Sequence, residues 1–402
     1  MTALLAGLRV LDLTHHVAGP LAAKLLADYG ADVIKVERPW GGDPSRTRGP
    51  FQGDLPHPER SGLFLHLNTS KRGITLNLRH ETGRAIFREL AAGADAVIES
   101  FRPGTMDRLG IGYEALSAMQ PRLVLTSISN FGQDGPYRDF RAGEITEYAM
   151  GGPMFATGYP GREPMKLGGS VVQSHAGQAA ALATVIALFG VDDAGRGDHL
   201  DVSIMETQAA GQDRRATMLI AYQFIGHVNG RARRPGALGG GVRPCADGYF
   251  SVAAQAHWFP IVMDMVGHPE LAEDPRFATV EARNRVEAAE ELEPYILPWW
   301  MERGMRDIWR EAQSRKLLSG PVYSSRDTIE DPYFRQRRYW ETISHSATGS
   351  IEYPGRPFRV HTMDRQPRRA APTLGQHNEE VLCGELGFSR RDLGRLRAAG
   401  VI

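Results

Sequence analysis

The sequence predicts an α/β fold: a parallel sheet with helices on both faces. Two observations carry this. Short strand-like runs alternate with helical runs through the first half of the 402-residue chain. The composition, 42% hydrophobic and 23% charged, is that of an ordinary globular protein, with enough chain for two to three units of about 150 residues each.

The elements follow in order. Leu8–Leu13 reads as a strand ended by Gly19-Pro20, and Leu21–Tyr29 as a helix stopped by Gly30. Ala31–Glu37 is a second strand, closed by Arg38-Pro39. Gly73–Leu78 is a third, followed by a helix over Glu81–Ala92; Asp95–Glu99 is a fourth. A helix over Tyr113–Met119 leads into Leu123–Ile128, the fifth. Gln173–Phe189, small and rich in Ala, reads as a buried helix, and Leu200–Ile204 as a strand with a helix after it through Gln223. Asn229–Gly241 has no periodicity and reads as a loop or boundary. From Gly248 short strands precede helices over about 258–267, 281–303 and 305–315, the texture of a smaller second domain. Strand-like pieces at Ser350–Tyr353 and Phe358–Val360 and a terminal helix pair follow.

Composition excludes several classes. The chain carries 47 basic and 47 acidic residues, which argues against bulk electrostatic binding of nucleic acid. No run of 18 apolar residues reads as a membrane span. The apolar N-terminus lacks the charged start of a signal peptide. Cys245 and Cys383 are too few for a disulfide framework or a Cys-rich zinc site, so a cytoplasmic location is expected. The 13 His show no metal-ligand spacing, and no metal is expected. There is no G-x-S-x-G elbow, Walker A loop or G-x-G-x-x-G fingerprint.

What remains is local. His15-His16-Val17-Ala18-Gly19-Pro20 lies between the first strand and its helix, where open parallel sheets bind ligands. The helix start behind it favours an anion, though a plain Gly-Pro turn reads the same way. Arg38, Arg72 and Arg102 follow or precede strands, and convergence of such arginines on one edge would suit a polyphosphate. Gly239-Gly240-Gly241 reads equally as a mobile lid or an inter-domain hinge.

Longer blocks then become recognisable. Residues 8–14 (LRVLDLT), 18–20 (AGP), 25–39 (LLADYGADVIKVERP), 68–72 (NTSKR) and 99–104 (ESFRPG) resemble the class III CoA-transferases, the CaiB/BaiF family. The likeness continues through 107–110 (DRLG), 129–137 (SNFGQDGPY), 243–249 (RPCADGY), 274–279 (DPRFAT) and 374–377 (LGQH), nearly the whole chain in order.

The resemblance implies a Rossmann-like large domain made from both chain ends, residues 1–225 and 321–402, with a smaller α+β domain at 226–320 inserted between them. It implies two such chains threaded as interlocked rings. It also implies transfer of CoA from an acyl-CoA, by family habit succinyl-CoA, to a free carboxylic acid, with CoA as substrate and no prosthetic group. In the family an Asp carboxylate attacks the thioester, a covalent step that divides one hard transfer into easier ones. Carried over by motif, His15, His16, Val17 and Ala18 would contact CoA near the thioester. Arg38, Lys71, Arg72, Arg102 and Arg108 would serve its adenine and phosphate end. Gly239, Gly240 and Gly241 resemble the family loop that closes over the intermediate and keeps water out.

One departure stands out. Counting back from Ala176-Gly177, the family's Asp position holds Gln173, and an amide cannot form the acyl anhydride. Three readings follow. Either the chain pairs with a homologous Asp-bearing subunit, as in the succinyl-CoA-dependent benzylsuccinate CoA-transferase. Or Glu144 takes the nucleophile's role in a self-sufficient enzyme. Or the chain is a CoA-binding homologue of racemase type, against which the segment Ala142–Glu147 has no His for proton shuttling.

Overall fold

A computed structural model describes residues 3–210, 214–228, 230–231, 241–253, 256–285, 287–362 and 368–402. The chain divides into two compact units, Met1–Arg231 with Tyr339–Ile402, and Ala232–Arg338.

The larger unit is built on six parallel strands, β1 (Arg9–Leu13), β2 (Asp32–Glu37), β3 (Arg72–Thr75), β4 (Ala96–Glu99), β5 (Val124–Ser129) and β6 (His199–Ser203). Their order across the sheet is β3-β2-β1-β4-β5-β6, so the chain reverses its direction of travel between β1 and β4. The helices are α1 (Ala18–Asp28), α2 (Gly62–Leu67), α3 (Glu81–Ala92), α4 (Thr105–Arg108), α5 (Tyr113–Met119), α6 (Glu144–Met150), α7 (Val171–Ala194), α8 (Ile204–Ala209) and α9 (Arg214–Ile225).

The strands alternate their side chains between two cores, as the period of two requires. Leu11, Leu13, Ile34 and Val97 join Ile86, Phe87 and Leu90 of α3 and Val381, Leu393 and Val401 of the C-terminal segment. Val10, Val33, Ala96 and Ile98 face Ala22, Ala23 and Leu26 of α1 and Val172, Ala176 and Ala180 of α7. The small residues of α1 and α7 let the two helices lie close. A Cβ at Gly177 would stand 2.5 Å from the Ala18 carbonyl oxygen, so only glycine fits that crossing.

The smaller unit has a three-stranded antiparallel sheet of β7 (Gly241–Cys245), β8 (Gly248–Val252) and β9 (Ser319–Pro321). Helices α10 (Phe259–Met265), α11 (Val280–Arg283), α12 (Ala288–Met301), α13 (Met305–Ser314), α14 (Ser325–Glu330) and α15 (Pro332–Gln336) complete it. Phe250, Phe259, Phe277, Ile296 and Trp300 form its core. The strands β10 (Glu341–His345) and β11 (Gly349–Tyr353) pair back in the larger unit, and α16 (Arg390–Ala398) covers its sheet.

Several expectations are corrected. The return to the large unit falls at Tyr339 rather than 321, because β9 pairs with β8 and α14 and α15 belong to the small unit. Phe358–Val360 is not a strand: Phe358 instead stacks on Tyr29, with ring centroids 4.1 Å apart. The helix expected over Gln173–Phe189 begins at Val171 and ends at Ala194. Although no unbroken apolar run reaches 18 residues, α7 is long and apolar enough to cross a membrane by length and composition. Its inward face packs on α1, while Leu182, Ile186 and Phe189 point outward.

Candidate active site

The turn that joins β1 to α1 is held from beneath by a buried ion network. Asp12 and Lys35 are register partners on β1 and β2, and both are fully buried, as are Asp43 and Lys71. Lys71 Nζ donates to Asp12 Oδ2 at 2.7 Å and to the Pro20 carbonyl at 2.9 Å. Lys35 Nζ donates to the Thr14 carbonyl at 2.9 Å and pairs with Asp43 at 3.1 Å. Asp43 in turn accepts the backbone N–H of His16 at 3.1 Å. Burial of four charges is tolerable only when each is paired in this way. Burial pushes the Lys71 ammonium down to about 8, while Lys35 and Lys71 hold the Asp12 carboxyl below its usual range despite its own burial.

His16, held to the network by its N–H, has φ +66°, a left-handed conformation that a non-glycine residue rarely adopts. Such strain persists where the surroundings over-determine it. His15 donates its N–H to Ser100 Oγ at 2.9 Å and packs edge-on against Phe101. Burial, with Lys35 nearby, lowers the His15 imidazole to about 4, so it is neutral at physiological pH.

Two cavities open on this turn, at the carboxyl ends of the strands on either side of the β1/β4 reversal. This is where open α/β sheets bind ligands. The first, of about 630 Å³, lies over β2 and β3 and is lined by Arg38, Trp40, Leu78, Arg79 and Phe101. The second, of about 490 Å³, lies over β4 and β5 and is lined by Ala18, Arg102, Asn130, Arg138, Arg141 and Gln173. His15, His16, Ser100 and Phe101 line both. Among the described residues, Arg102, Arg138 and Arg141 have no carboxylate partner. The guanidinium groups of Arg138 and Arg108 converge on Gly104, whose φ is +72°: a Cβ there would lie 2.9 Å and 3.5 Å from them. Unpaired guanidinium groups gathered beside a cavity make a ready anion site.

Gln173 enters the second cavity from the first turn of α7, because the close crossing at Gly177 one turn later fixes that helix against α1. Its Nε2 donates to Glu147 Oε2 at 2.7 Å. Glu147 is fully buried, and burial raises its carboxyl to about 7 against the opposing pull of the Gln173 hydrogen bond. Glu144 occupies a different place. Its two oxygens accept the backbone N–H groups of Val172 and Gln173 at 3.0 and 3.1 Å, and Lys166 Nζ lies 3.5 Å from Oε1. It is the anionic cap of α7.

The expected site residues therefore sort unevenly. His15, His16, Ala18, Arg38, Arg102 and Gln173 line the cavities. Arg108 stands on the rim, donating to Thr105 Oγ1 at 2.8 Å. Val17 precedes α1 as its cap residue, with its carbonyl accepting from Leu21 N. Lys71 is corrected: it is buried beneath the turn and spends its donors on Asp12, Asn68 and Pro20. Arg72 is corrected too, since it opens β3 at the amino ends of the strands, away from the crevice, and pairs with Asp32, Glu380 and Glu385. Gly241 opens β7 with φ +98°, while Gly239 and Gly240 lie outside the described residues. Residues that sequence reasoning missed are Trp40, Asn130, Arg138, Arg141 and Glu147. Glu147 carried no signal in the sequence: only the fold shows that in α6 it is buried while the apolar Ile145 and Met150 are exposed. Among the described residues no three metal-ligating side chains stand together.

The strand order and the arginine-lined crevice at the chain reversal are those of an open α/β sheet with a site for an anionic ligand. Comparison with known proteins makes this specific: the chain belongs to CoA-transferase family III, whose family model matches residues 5–378. It is 36% identical over 399 residues to the succinyl-CoA–D-citramalate CoA-transferase of Chloroflexus aurantiacus, covering 98% of this chain and 97% of that one. It is 33% identical over 403 residues to the BbsE subunit of the succinyl-CoA:(R)-benzylsuccinate CoA-transferase of Thauera aromatica, covering 97% of this chain and 97% of that one. A CaiB/BaiF family protein of Brucella suis superimposes with a TM-score of 0.84 at 31% identity, over 96% of this chain and all of that one. The protein is thus a transferase that works on CoA thioesters and carboxylic acids.

Proposed function

We propose that this chain is the non-nucleophilic subunit of a heteromeric CoA-transferase. It would move CoA between an acyl-CoA such as succinyl-CoA and a free acid beside a homologue that carries the catalytic Asp. The observation that carries this is the state of position 173. The side chain that enters the cavity there is an amide, tied to Glu147, and the nearby Glu144 spends both oxygens capping α7. An amide is not a nucleophile, and a carboxylate engaged by two helix N–H groups is a poor one. The carboxylate that does line the cavity, Asp139, sits in an exposed loop.

The two cavities offer a long CoA molecule an arginine-lined path. Arg38, Arg102, Arg108, Arg138 and Arg141 supply positive charge for its phosphates, and the neutral His15 supplies a turn near the thioester. Titration with free CoA or succinyl-CoA by calorimetry should give binding. Affinity weaker than about −4 kcal/mol, equivalent to a millimolar Kd, would sink the assignment. An interlocked dimer suits the exposed apolar side chains of α7 and α9, among them Phe189 at 84% and Phe224 at 81% exposed. The free thiols of Cys245 and Cys383 suit the cytoplasm.

The decisive experiment measures transfer by the pure chain and by its mixture with an Asp-bearing homologue. The pure chain should be nearly inactive, and mixing should restore transfer. A pure chain that turns over and loses several orders of magnitude on Glu144→Gln would establish the self-sufficient reading instead. Mass-spectrometric trapping of an acyl adduct on Asp139 would reject both.

A further inference from the structure

Position 173 has a neighbour that decides what it can be. Behind Gln173, away from solvent, lies the carboxyl of Glu147, with the residue fully buried. Two amides grip it. Gln173 Nε2 donates to Oε2 at 2.7 Å. Asn130 Nδ2, with its amide oriented so that both of its ends are satisfied, donates to Oε1 at 2.9 Å while its Oδ1 accepts from Ala142 N at 3.1 Å. Asn130 follows β5, Gln173 opens α7, and Glu147 belongs to α6, so one carboxyl ties three elements together. Both of the amides line the cavity.

The charges around Glu147 are few. Glu144, on its own helix, repels it. Lys166 is turned to Glu144. The groups facing Glu147 from α7 and from the β5 loop are neutral amides. A buried carboxylate with only neutral donors against it accepts hydrogen bonds well and tolerates a second carboxylate badly. Two carboxyl groups in hydrogen-bond contact cannot both ionise near neutral pH, and one of them titrates far above its ordinary range.

We propose that Glu147 is a positioning residue that sets the chemistry of position 173. It requires an amide there, aims the Gln173 carbonyl toward the cavity, and bars a nucleophilic carboxylate from that place. This rests on the partner-subunit reading and deepens it. The loss of the Asp is locked in by a second residue, and restoring the Asp alone does not restore the nucleophile. For attack, a carboxylate oxygen at position 173 must bond to the thioester carbonyl carbon as the C–S bond breaks and CoA leaves as its thiolate. A protonated or hydrogen-bonded carboxyl sharing a proton with Glu147 is not available for that step.

The test is a double-mutant cycle on the full chain with Gln173→Asp, Glu147→Gln and the two combined. Gln173→Asn serves as the control that shortens the side chain without adding charge. Thermal denaturation at about pH 5.5 and about pH 8.5 is the first readout. Gln173→Asp should lose stability at the higher pH relative to the lower, and Glu147→Gln in the same chain should remove that difference. The second readout adds succinyl-CoA at neutral pH, traps with hydroxylamine and locates the hydroxamate by peptide mass spectrometry. The double variant should label position 173 at least about tenfold more than Gln173→Asp alone, one pKa unit of suppression being a factor of ten. The proposal is overturned if Gln173→Asp is equally stable at both pH values or its loss is indifferent to Glu147, and equally if the single variant labels as well as the double. If neither variant labels, the stability cycle decides alone by the same criterion. An adduct found in the unaltered chain would reject the partner-subunit reading and leave the Glu147 coupling to be judged by the cycle.

Discussion

Glu99 closes β4 directly under the crevice, and its side chain works on the turn above it. Its Oε2 accepts the Phe101 N–H at 2.6 Å, which sets the turn that presents Ser100 to His15. Burial raises its carboxyl to about 7, against the pull of hydrogen bonds from Ser127 and from Phe101 N–H. A group whose folded pKa is raised binds its proton more tightly in the folded chain, so its contribution is complete below the unfolded value of 4.5 and is lost as pH climbs to about 7. We expect Glu99→Gln to flatten that part of the stability–pH curve, by an amount on the order of a few kcal/mol across the window. Urea denaturation at a series of pH values measures it, and an unchanged slope in the variant would contradict the assignment. His15 acts in the opposite sense: its lowered pKa means that stability falls as pH drops from 6.5 toward about 4.

At the scale of elements, the crossing of α1 and α7 is what delivers Gln173 to the cavity. Ala18, Ala22, Ala176 and Ala180 keep the helix faces low, and Gly177 brings α7 against the Ala18 carbonyl. A methyl group at 177 improves helix propensity by roughly 0.5–1 kcal/mol but collides with that carbonyl. The collision wins, because backbone atoms of a packed helix cannot rotate aside. Gly177→Ala should therefore cost about 1–3 kcal/mol net of stability and weaken CoA binding together with it. Calorimetry on the variant checks both, and a stabilised protein with unaltered binding would show that the crossing is looser than described.

For the molecule as a whole, the outward faces of α7 and α9 are the largest unexplained feature of a single chain. Leu182 and Ile186 are each 62% exposed, and Ile225 is 69% exposed. Apolar side chains concentrated on two helices are typical of surfaces that a partner covers. Light scattering at micromolar concentration should report a dimer, of this chain with itself or with a homologue. A stable monomer would contradict it. Replacing Phe189 and Phe224 by Ser should favour the monomer while leaving the six-stranded sheet intact, which circular dichroism would verify.

Local chemistry made the parallel sheet legible in the sequence. Alternating apolar strands, Gly and Pro stops and Ala-rich helices are short-range patterns, so β1, β2, β4, β5 and the β1–α1 turn fall within a residue or two of where they were expected. The family was also legible, because its motifs are blocks of residues close together in the chain. Other facts depended on distance in space. Lys71 and Arg72 are adjacent in sequence, yet one is buried under the turn and the other pairs with Asp32, Glu380 and Glu385 at the amino ends of the strands, because successive residues entering a strand point apart. Glu147 lies 26 residues from Gln173, and no local pattern announces that the two carry one hydrogen bond. Tertiary packing alone decided which charges are buried, which guanidinium groups stay unpaired, and which carboxyl stands behind Gln173. Those depend on desolvation and close approach, which only the folded chain creates.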